Sequence, residues 1–151
     1  MKFLCDQMLG TLAKWLRIYG FDTYFATDEI DDSKLIDISK KENRVLISRD
    51  IQLIQNARRE NIDTILLTTT DLDEQIKNVI IKTGIDENKF LSRCIICNSK
   101  VEKIDKEKIE GKVPGRVFKN NKDFWYCKKC NKIYWIGSHF EKMKERIKRL
   151  S

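Results

Sequence analysis

Short apolar runs alternate with stretches of helical periodicity through the first 90 residues of the chain. Residues 2–5, 22–26, 44–48 and 64–67 are rich in β-branched and aromatic side chains and read as strands. Residues 8–19, 32–42, 52–59 and about 71–82 place apolar side chains three and four apart and read as helices. In the first of these helices Leu9, Leu12, Ala13 and Leu16 make the apolar stripe, while Gln7, Thr11, Lys14 and Arg17 leave a polar one. Gly20 falls where a helix commonly ends. This repeated order predicts an α/β domain with a mainly parallel sheet and helices on both faces. In such sheets functional groups collect at the carboxyl ends of the strands.

Beyond Lys89 the pattern changes to short strand candidates at 101–104, 116–119, 124–126 and 132–136, followed by a lysine-rich amphipathic helix over 140–150. The boundary should be a short connection between 84 and 92, dividing the chain into residues 1–88 and 89–151. Charge follows this division. Residues 1–90 carry 13 Lys and Arg against 16 Asp and Glu, and residues 91–151 carry 17 against 7, within an overall +7. The segregation favours an anionic partner for the second part, although a lysine-rich face also serves plain solvation. No apolar run approaches bilayer-spanning length. Met1 leads directly into a strand with no signal-peptide layout, so the expected location is cytoplasmic, without membrane contact.

In a reducing compartment closely spaced cysteines are metal ligands before they are disulfides. Cys94-Ile-Ile-Cys97 and Cys127-Lys-Lys-Cys130 are two CxxC pairs separated by 29 residues. Two thiolates two residues apart on a turn reach one tetrahedral ion, and two such knuckles complete a closed Cys₄ site, which is structural zinc in a ribbon. Asn98 and Asn131 each follow a knuckle, where tolerance of positive φ helps the chain turn back. Arg93, Lys128 and Lys129 would offset the charge of four thiolates. Some of Trp125, Tyr126, Tyr134 and Trp135 should cover the knuckles, leaving one or two to stack on bases. Cys5, in a strand, reads as a small core residue.

Asp6 follows the first strand and Asp50 ends Val45-Leu46-Ile47-Ser48-Arg49-Asp50, so a parallel sheet brings both to one edge. Asp31 and Asp32 precede the helix leading into that later strand. Carboxylates converging there repel one another unless a hard cation, Mg²⁺ or Mn²⁺, neutralises them, and its bound water is then available for attack on a phosphodiester. Either Asp31 or Asp32 can instead cap its helix, as can Asp71. Asp71 and Asp73 are candidates for a further ligand. Lys14, Arg17 and Arg49 can contact phosphate, and Ser48 can position a carboxylate. His139, the single histidine, reads as a packing or capping residue.

The opening from Lys2 through Asp6, Gly10, Lys14 and Trp15 to Arg17 resembles the start of the PIN-like ribonuclease domains found at the C-terminus of mut-seven exonucleases. Asp31-Asp32 with Leu35, and Arg44 to Asp50, are similar to the family's second and third blocks. Its zinc-ribbon ending is matched by Ser92 to Asn98, Val113-Pro114-Gly115-Arg116-Val117, Phe124 to Cys130, and Tyr134-Trp135-Ile136-Gly137-Ser138-His139. The resemblance implies a three-layer α/β/α nuclease domain followed by a zinc ribbon, with Asp6, Asp32 and Asp50 as the acidic residues and Asp31 as their neighbour. Cys5, Gln7 and Ser48 stand where the family more often has an aliphatic residue, an arginine and a threonine.

The sequence therefore predicts a metal-dependent ribonuclease acting on RNA. Asp6, Asp32 and Asp50 are its catalytic residues, and with Asp31 they hold Mg²⁺ or Mn²⁺. Cys94, Cys97, Cys127 and Cys130 hold zinc. Lys14, Arg17 and Arg49 approach the RNA. The alternative is an RNA- or ribosome-binding module without catalysis, whose aspartates cap helices. Nothing in the sequence fixes an oligomeric state.

Overall fold

The structure is a computed structural model that describes residues 1–27 and 29–150, with the backbone alone at 138 and 139. Strands β1 (Lys2–Cys5), β2 (Asp22–Phe25), β3 (Val45–Ser48) and β4 (Thr64–Leu66) pair in parallel in the order β2-β1-β3-β4. Helices α1 (Gly10–Ile18), α2 (Asp32–Lys41) and α3 (Ile51–Arg59) join them, and α4 (Leu72–Thr83) comes after the last strand. This is the expected mixed α/β architecture, with strand and helix limits close to those read from periodicity.

Alternation along the strands builds two cores, because successive strand side chains leave opposite faces of the sheet. Phe3, Cys5, Ile47, Ile65 and Leu67 pack with Leu12 and Leu16 of α1 and Ile76 and Val79 of α4. Leu4 and Leu46 turn the other way, against Leu35 of α2 and Leu53, Ile54 and Ala57 of α3. Each fully buried Leu or Ile contributes about 1.5–3 kcal/mol, and both sets are almost wholly removed from solvent. Asn43 and Asn61, at φ 53° and 61°, come after α2 and α3 in the left-handed conformation that ends a helix.

The second part is an antiparallel sheet of β5 (Glu102–Ile104), β6 (Phe124–Cys127) and β7 (Lys132–Trp135), with α5 (Gly115–Asn120) before β6 and α6 (Ser138–Leu150) at the end. Residues 116–119, expected as a strand, are helical. Pro114 sits at the N-cap with φ −54° and has no N–H to leave unpaired, and Phe118 N–H donates to its carbonyl at 3.0 Å. Helix α6 does not stay with the ribbon. Met143 and Ile147 enter the core that holds α1 and α4, and Arg146 bonds Asp73 at 2.6 Å while stacking 4.5 Å from the Trp15 ring. Among the described residues no helix is long and apolar enough to cross a membrane.

The two halves are latched along β2, the edge strand. Asn98, at φ 71° in the first knuckle, accepts from Thr23 N–H at 2.9 Å and donates to Asp22 at 2.7 Å, so its amide continues the sheet edge. Arg17 of α1 donates to the Thr23 carbonyl at 2.9 Å and to the Ile95 and Ile96 carbonyls at 3.0 Å each. Gly20, at φ 92°, meets the connection so closely that a Cβ there would lie 2.2 Å from the Lys89 carbonyl oxygen. The buried Arg44 bonds Asp22 at 2.8 Å and the Phe3 carbonyl at 3.1 Å. Asp22 thus joins Arg44, Asn98 and Arg93.

Burial raises the Asp22 carboxyl, but hydrogen bonds from Asn98 and Arg44 and the charges of Arg44 and Arg93 outweigh it and hold the group below its ordinary value. Its stabilisation is therefore complete above the unfolded pKa of about 3.9 and is lost as pH falls through the lower folded value. Asp22→Ala leaves Arg44 buried with only Glu42 as a charged partner. Urea unfolding at pH 7 is expected to show a loss of about 3 kcal/mol. The loss should shrink when the pair is compared below the folded pKa; an undiminished loss there would rule out the ion pair as its source.

Candidate active site and metal centre

The chain leaves β1 for one neighbour, β2, and then crosses to the other, β3, so a crevice opens at the carboxyl ends of β1 and β3 where the winding reverses. Asp6 comes immediately after β1 and caps a 3₁₀ turn, Gln7–Leu9, accepting from Met8 N–H at 3.1 Å. Its other oxygen accepts from the Ser48 hydroxyl. Ser48, fully buried at the end of β3, in turn accepts from Asp50 N–H at 2.9 Å. One hydroxyl therefore ties the two aspartate segments together. Asp50 caps α3, accepting from Gln52 and Leu53 N–H at 2.9 and 3.2 Å.

Asp31 and Asp32 divide their work. Asp31 is the N-cap of α2, accepting from Lys34 N–H at 2.8 Å, and faces a separate cleft with Lys34 and Asp37. Asp32, the first helical residue, lines with Asp6 and Asp50 a cavity of about 370 Å³ that Gln7 and Arg49 also border. The carboxyl of Asp6 is raised above its ordinary value, first by burial, and further by the charges of Asp50 and Asp32; hydrogen bonds from Ser48 and Met8 oppose the rise only in part. The acids share one electrostatic field, and the oxygen-only donor set they present suits a hard cation. Among the described residues only the cysteines already lie close enough to grip an ion directly. A cation that keeps several waters fits the looser acidic cavity.

The other expected site residues lie elsewhere. Asp71 caps α4 by accepting from Asp73 N–H, and Asp73 is bound to Arg146; neither lines the acidic cavity. The Arg17 guanidinium is occupied by Thr23 and the knuckle carbonyls, which makes it a tie between α1 and the ribbon. Lys14 is exposed on α1 at some distance along the helix, and Arg49 is exposed at the mouth of the cavity. The side chain of His139 lies outside the described residues.

The four sulfurs of Cys94, Cys97, Cys127 and Cys130 lie within 4.8 Å of one another and could hold a metal such as zinc. Burial raises the Cys97 thiol, but hydrogen bonds from the Ser99 side chain and backbone outweigh it and bring the group to about 6. Cys130 is pushed up to about 12, first by its hydrogen bond to Cys97. Thiolates forming one after another oppose the next ionisation, and a cation at their centre removes that opposition. Tyr134 covers the first knuckle, its hydroxyl 3.0 Å from the Cys94 sulfur and accepting from Ile95 N–H at 3.3 Å. Asn131, like Asn98, has positive φ. Asn98 turns the chain after its knuckle and Tyr134 covers it, as their positions in the sequence suggest; Ser99 was missed, since a serine after a knuckle carries no distinct local signal.

A family model described as the Mut7-C RNAse domain matches residues 1–147. No curated protein and no solved structure matches the chain.

Elemental analysis is expected to find about one zinc per chain, and Cys97→Ser to bring this close to none. The raised pKa of Asp6 has the opposite sign to that of Asp22. Its stabilising contribution is present below the unfolded pKa and is lost as pH rises through the folded value, so ionising Asp6 works against the fold. Without added divalent cation, Asp6→Asn should therefore raise the thermal midpoint at pH 7 by about 2 °C or more. A lowered midpoint would mean that the carboxylate's hydrogen bonds outweigh its repulsion.

Proposed function

The chain belongs to the Mut7-C RNAse domain family, and from that membership and its acidic crevice we propose that it is a PIN-like, metal-dependent endoribonuclease. The observation that carries this reading is the shared cavity of Asp6, Asp32 and Asp50, with the charges of the other two felt at Asp6. Residues 1–88 hold the chemistry and residues 89–151 form the ribbon that helps to hold RNA.

Mg²⁺ or Mn²⁺ bound among these carboxylates would supply Lewis acidity and a water of lowered pKa. The chain's own part is positional. Ser48 holds Asp6 by one carboxylate oxygen and Asp50 by its amide, tying the two acidic segments to each other. The caps at Asp6 and Asp50 restrain their side chains against the starts of the 3₁₀ turn and α3. Arg49, exposed at the mouth, offers a cation to the phosphate that enters. The zinc ribbon takes no chemical step, because a closed Cys₄ site leaves no position for substrate.

Each of these aspartates also caps a helix or stands beside a cap, which is what the non-catalytic RNA-binding reading requires of it. Asp50→Asn separates the two readings. Asparagine is as good an N-cap as aspartate, so α3 should persist, while a ligand charge is lost. Cleavage of a labelled RNA in Mn²⁺ is expected to fall by about 10²-fold or more, with RNA affinity nearly unchanged. Equal turnover by wild type and variant, in preparations free of contaminating nuclease, would remove Asp50 from the site; no turnover by either would favour the binding module.

A further inference from the structure

A cavity of about 1130 Å³ lies away from the carboxylates, in the groove between α1, β7 and α6. Its floor is aromatic and aliphatic, with Trp15, Tyr134, Trp135 and Phe140 among the lining side chains. Its rim is basic: Lys14, Lys132, Lys142, Lys148 and Arg149 line it, against a single acid, Glu145. Arg146, also there, is already engaged by Asp73 and Trp15. Among the described residues Lys14, Lys142, Lys148 and Arg149 form no ion pair, so their charge is uncompensated. Flat apolar faces framed by unpaired cations match a polyanion whose bases are free to stack, and match neither a neutral peptide nor a paired duplex.

A second observation connects this groove to the acidic crevice. A smaller cavity, of about 350 Å³, runs beside α1 from Gly10 and Phe25 to Ile95, and Lys14, Ile95 and Lys132 line both it and the large groove. At its other end Gly10 and Phe25 lie next in sequence to stretches bordering the carboxylates, since Met8 and Ala26 line the acidic cavity. The side of α1 from Gly10 to Lys14 is about 6 Å long at 1.5 Å per residue. The ribbon's knuckle forms the opposite wall, held there by Arg17.

We propose that the groove between α1, β7 and α6 is the binding track for the unpaired part of an RNA strand, leading along α1 to the acidic crevice. The proposal rests on the nuclease reading for the meaning of that crevice but not for the binding itself. Lys132 stands at the junction, lining the narrow cavity and the groove and lying 5.5 Å over the Tyr134 ring. Trp135 supplies a stacking face at the ribbon end, and Lys148 and Arg149 close the groove at the end of α6. A single strand fits because its bases reach the aromatic floor while its phosphates follow the rim.

The test uses the full chain carrying Asp50→Asn, so that the probe is not cut, and a labelled oligouridine of roughly 12 nucleotides beside a blunt RNA duplex. Lys132→Glu, and Lys148→Glu combined with Arg149→Glu, should each weaken single-strand binding about tenfold or more and flatten its salt dependence. Lys77→Glu, an equal charge reversal on α4 outside the groove, should change it less than about twofold by the same electrostatic reasoning. Trp135→Ala should weaken binding about tenfold through lost stacking. Should that variant not fold, the milder Trp135→Phe should still remove part of the tryptophan quenching seen when wild type binds the strand. Groove-dependent binding by a wild-type chain that cuts nothing would leave the track standing and the nuclease reading fallen. Binding indifferent to the groove substitutions, equal preference for the duplex, or a concentration-dependent dimer dissolved by the same substitutions would overturn the track.

Discussion

The parallel pairing of β1 with both its neighbours is the constraint on which the rest depends. Cys5 is level with Phe25 on one side and Ile47 on the other, so β1, β2 and β3 all finish at the same height. The segments leaving these strands must then emerge around one crevice: Asp6 after β1, the loop to Asp32 after β2, and Ser48 with Asp50 at the end of β3. Because the side-chain period of a strand is two, slipping β1 by one residue would exchange Leu4 with Phe3 and Cys5 between the two cores. The same packing that makes such a slip unfavourable keeps Asp6 within reach of the Ser48 hydroxyl. Core and site are specified by one register.

The two carboxylate centres of the first half illustrate opposite uses of the same group. Asp22 is surrounded by donors, Arg44, Asn98 and Arg93, and its charge stabilises the joint between sheet and ribbon. Asp6 is itself buried, feels the charges of the exposed Asp32 and Asp50, and is held by hydrogen bonds from Met8 and Ser48. A carboxyl whose ionisation its own surroundings oppose gains most from an added positive charge, whereas a group already matched by cations gains little. That difference, more than exposure or position, separates the structural aspartate from the functional candidates. Asp73, matched by Arg146, falls on the structural side with Asp22.

Features with a local period or spacing were legible in the sequence. The strands, the four large helices, the paired knuckles and the convergence of Asp6 with Asp50 at one sheet edge all arise from patterns within a few residues. Adjacent acids before a helix carry the same local signal, so periodicity alone does not choose between Asp31 and Asp32; the family resemblance put Asp32 in the acidic set, and the helix start makes Asp31 the cap. Residues 116–119 misled because Val117 and Phe118 favour a strand by composition, while Pro114 and a single turn of hydrogen bonds settle on a short helix. Arg17 read as a cation on a polar stripe; its partners are the Thr23 carbonyl and two carbonyls 78 and 79 residues away, and a backbone acceptor leaves no mark in sequence. Nor could the pattern of α6 show that Met143 and Ile147 would complete the core of the first half instead of closing over the ribbon.

The change of charge near residue 90 gains a structural meaning from these contacts. Part of the basic excess is used in assembly, since Arg93 meets Asp22 and Arg146 meets Asp73, each pair joining a cation of the second half to an acid of the first. These pairs hold the first knuckle against β2 and α6 against α4, and Lys132, Lys142 and Lys148 line the groove that results. Arg17 binds the carbonyls of Ile95 and Ile96, the two residues between Cys94 and Cys97, so the first cysteine knuckle and α1 share a direct contact. Asn98, the next residue after that knuckle, holds β2 at Asp22 and Thr23. A loosened knuckle would therefore disturb α1 and the sheet edge before it reached Ser48, which lies on the far side of β1 from the latch. The cysteine knuckle bears on how the groove is walled, and the strand register on how the carboxylates share their cavity.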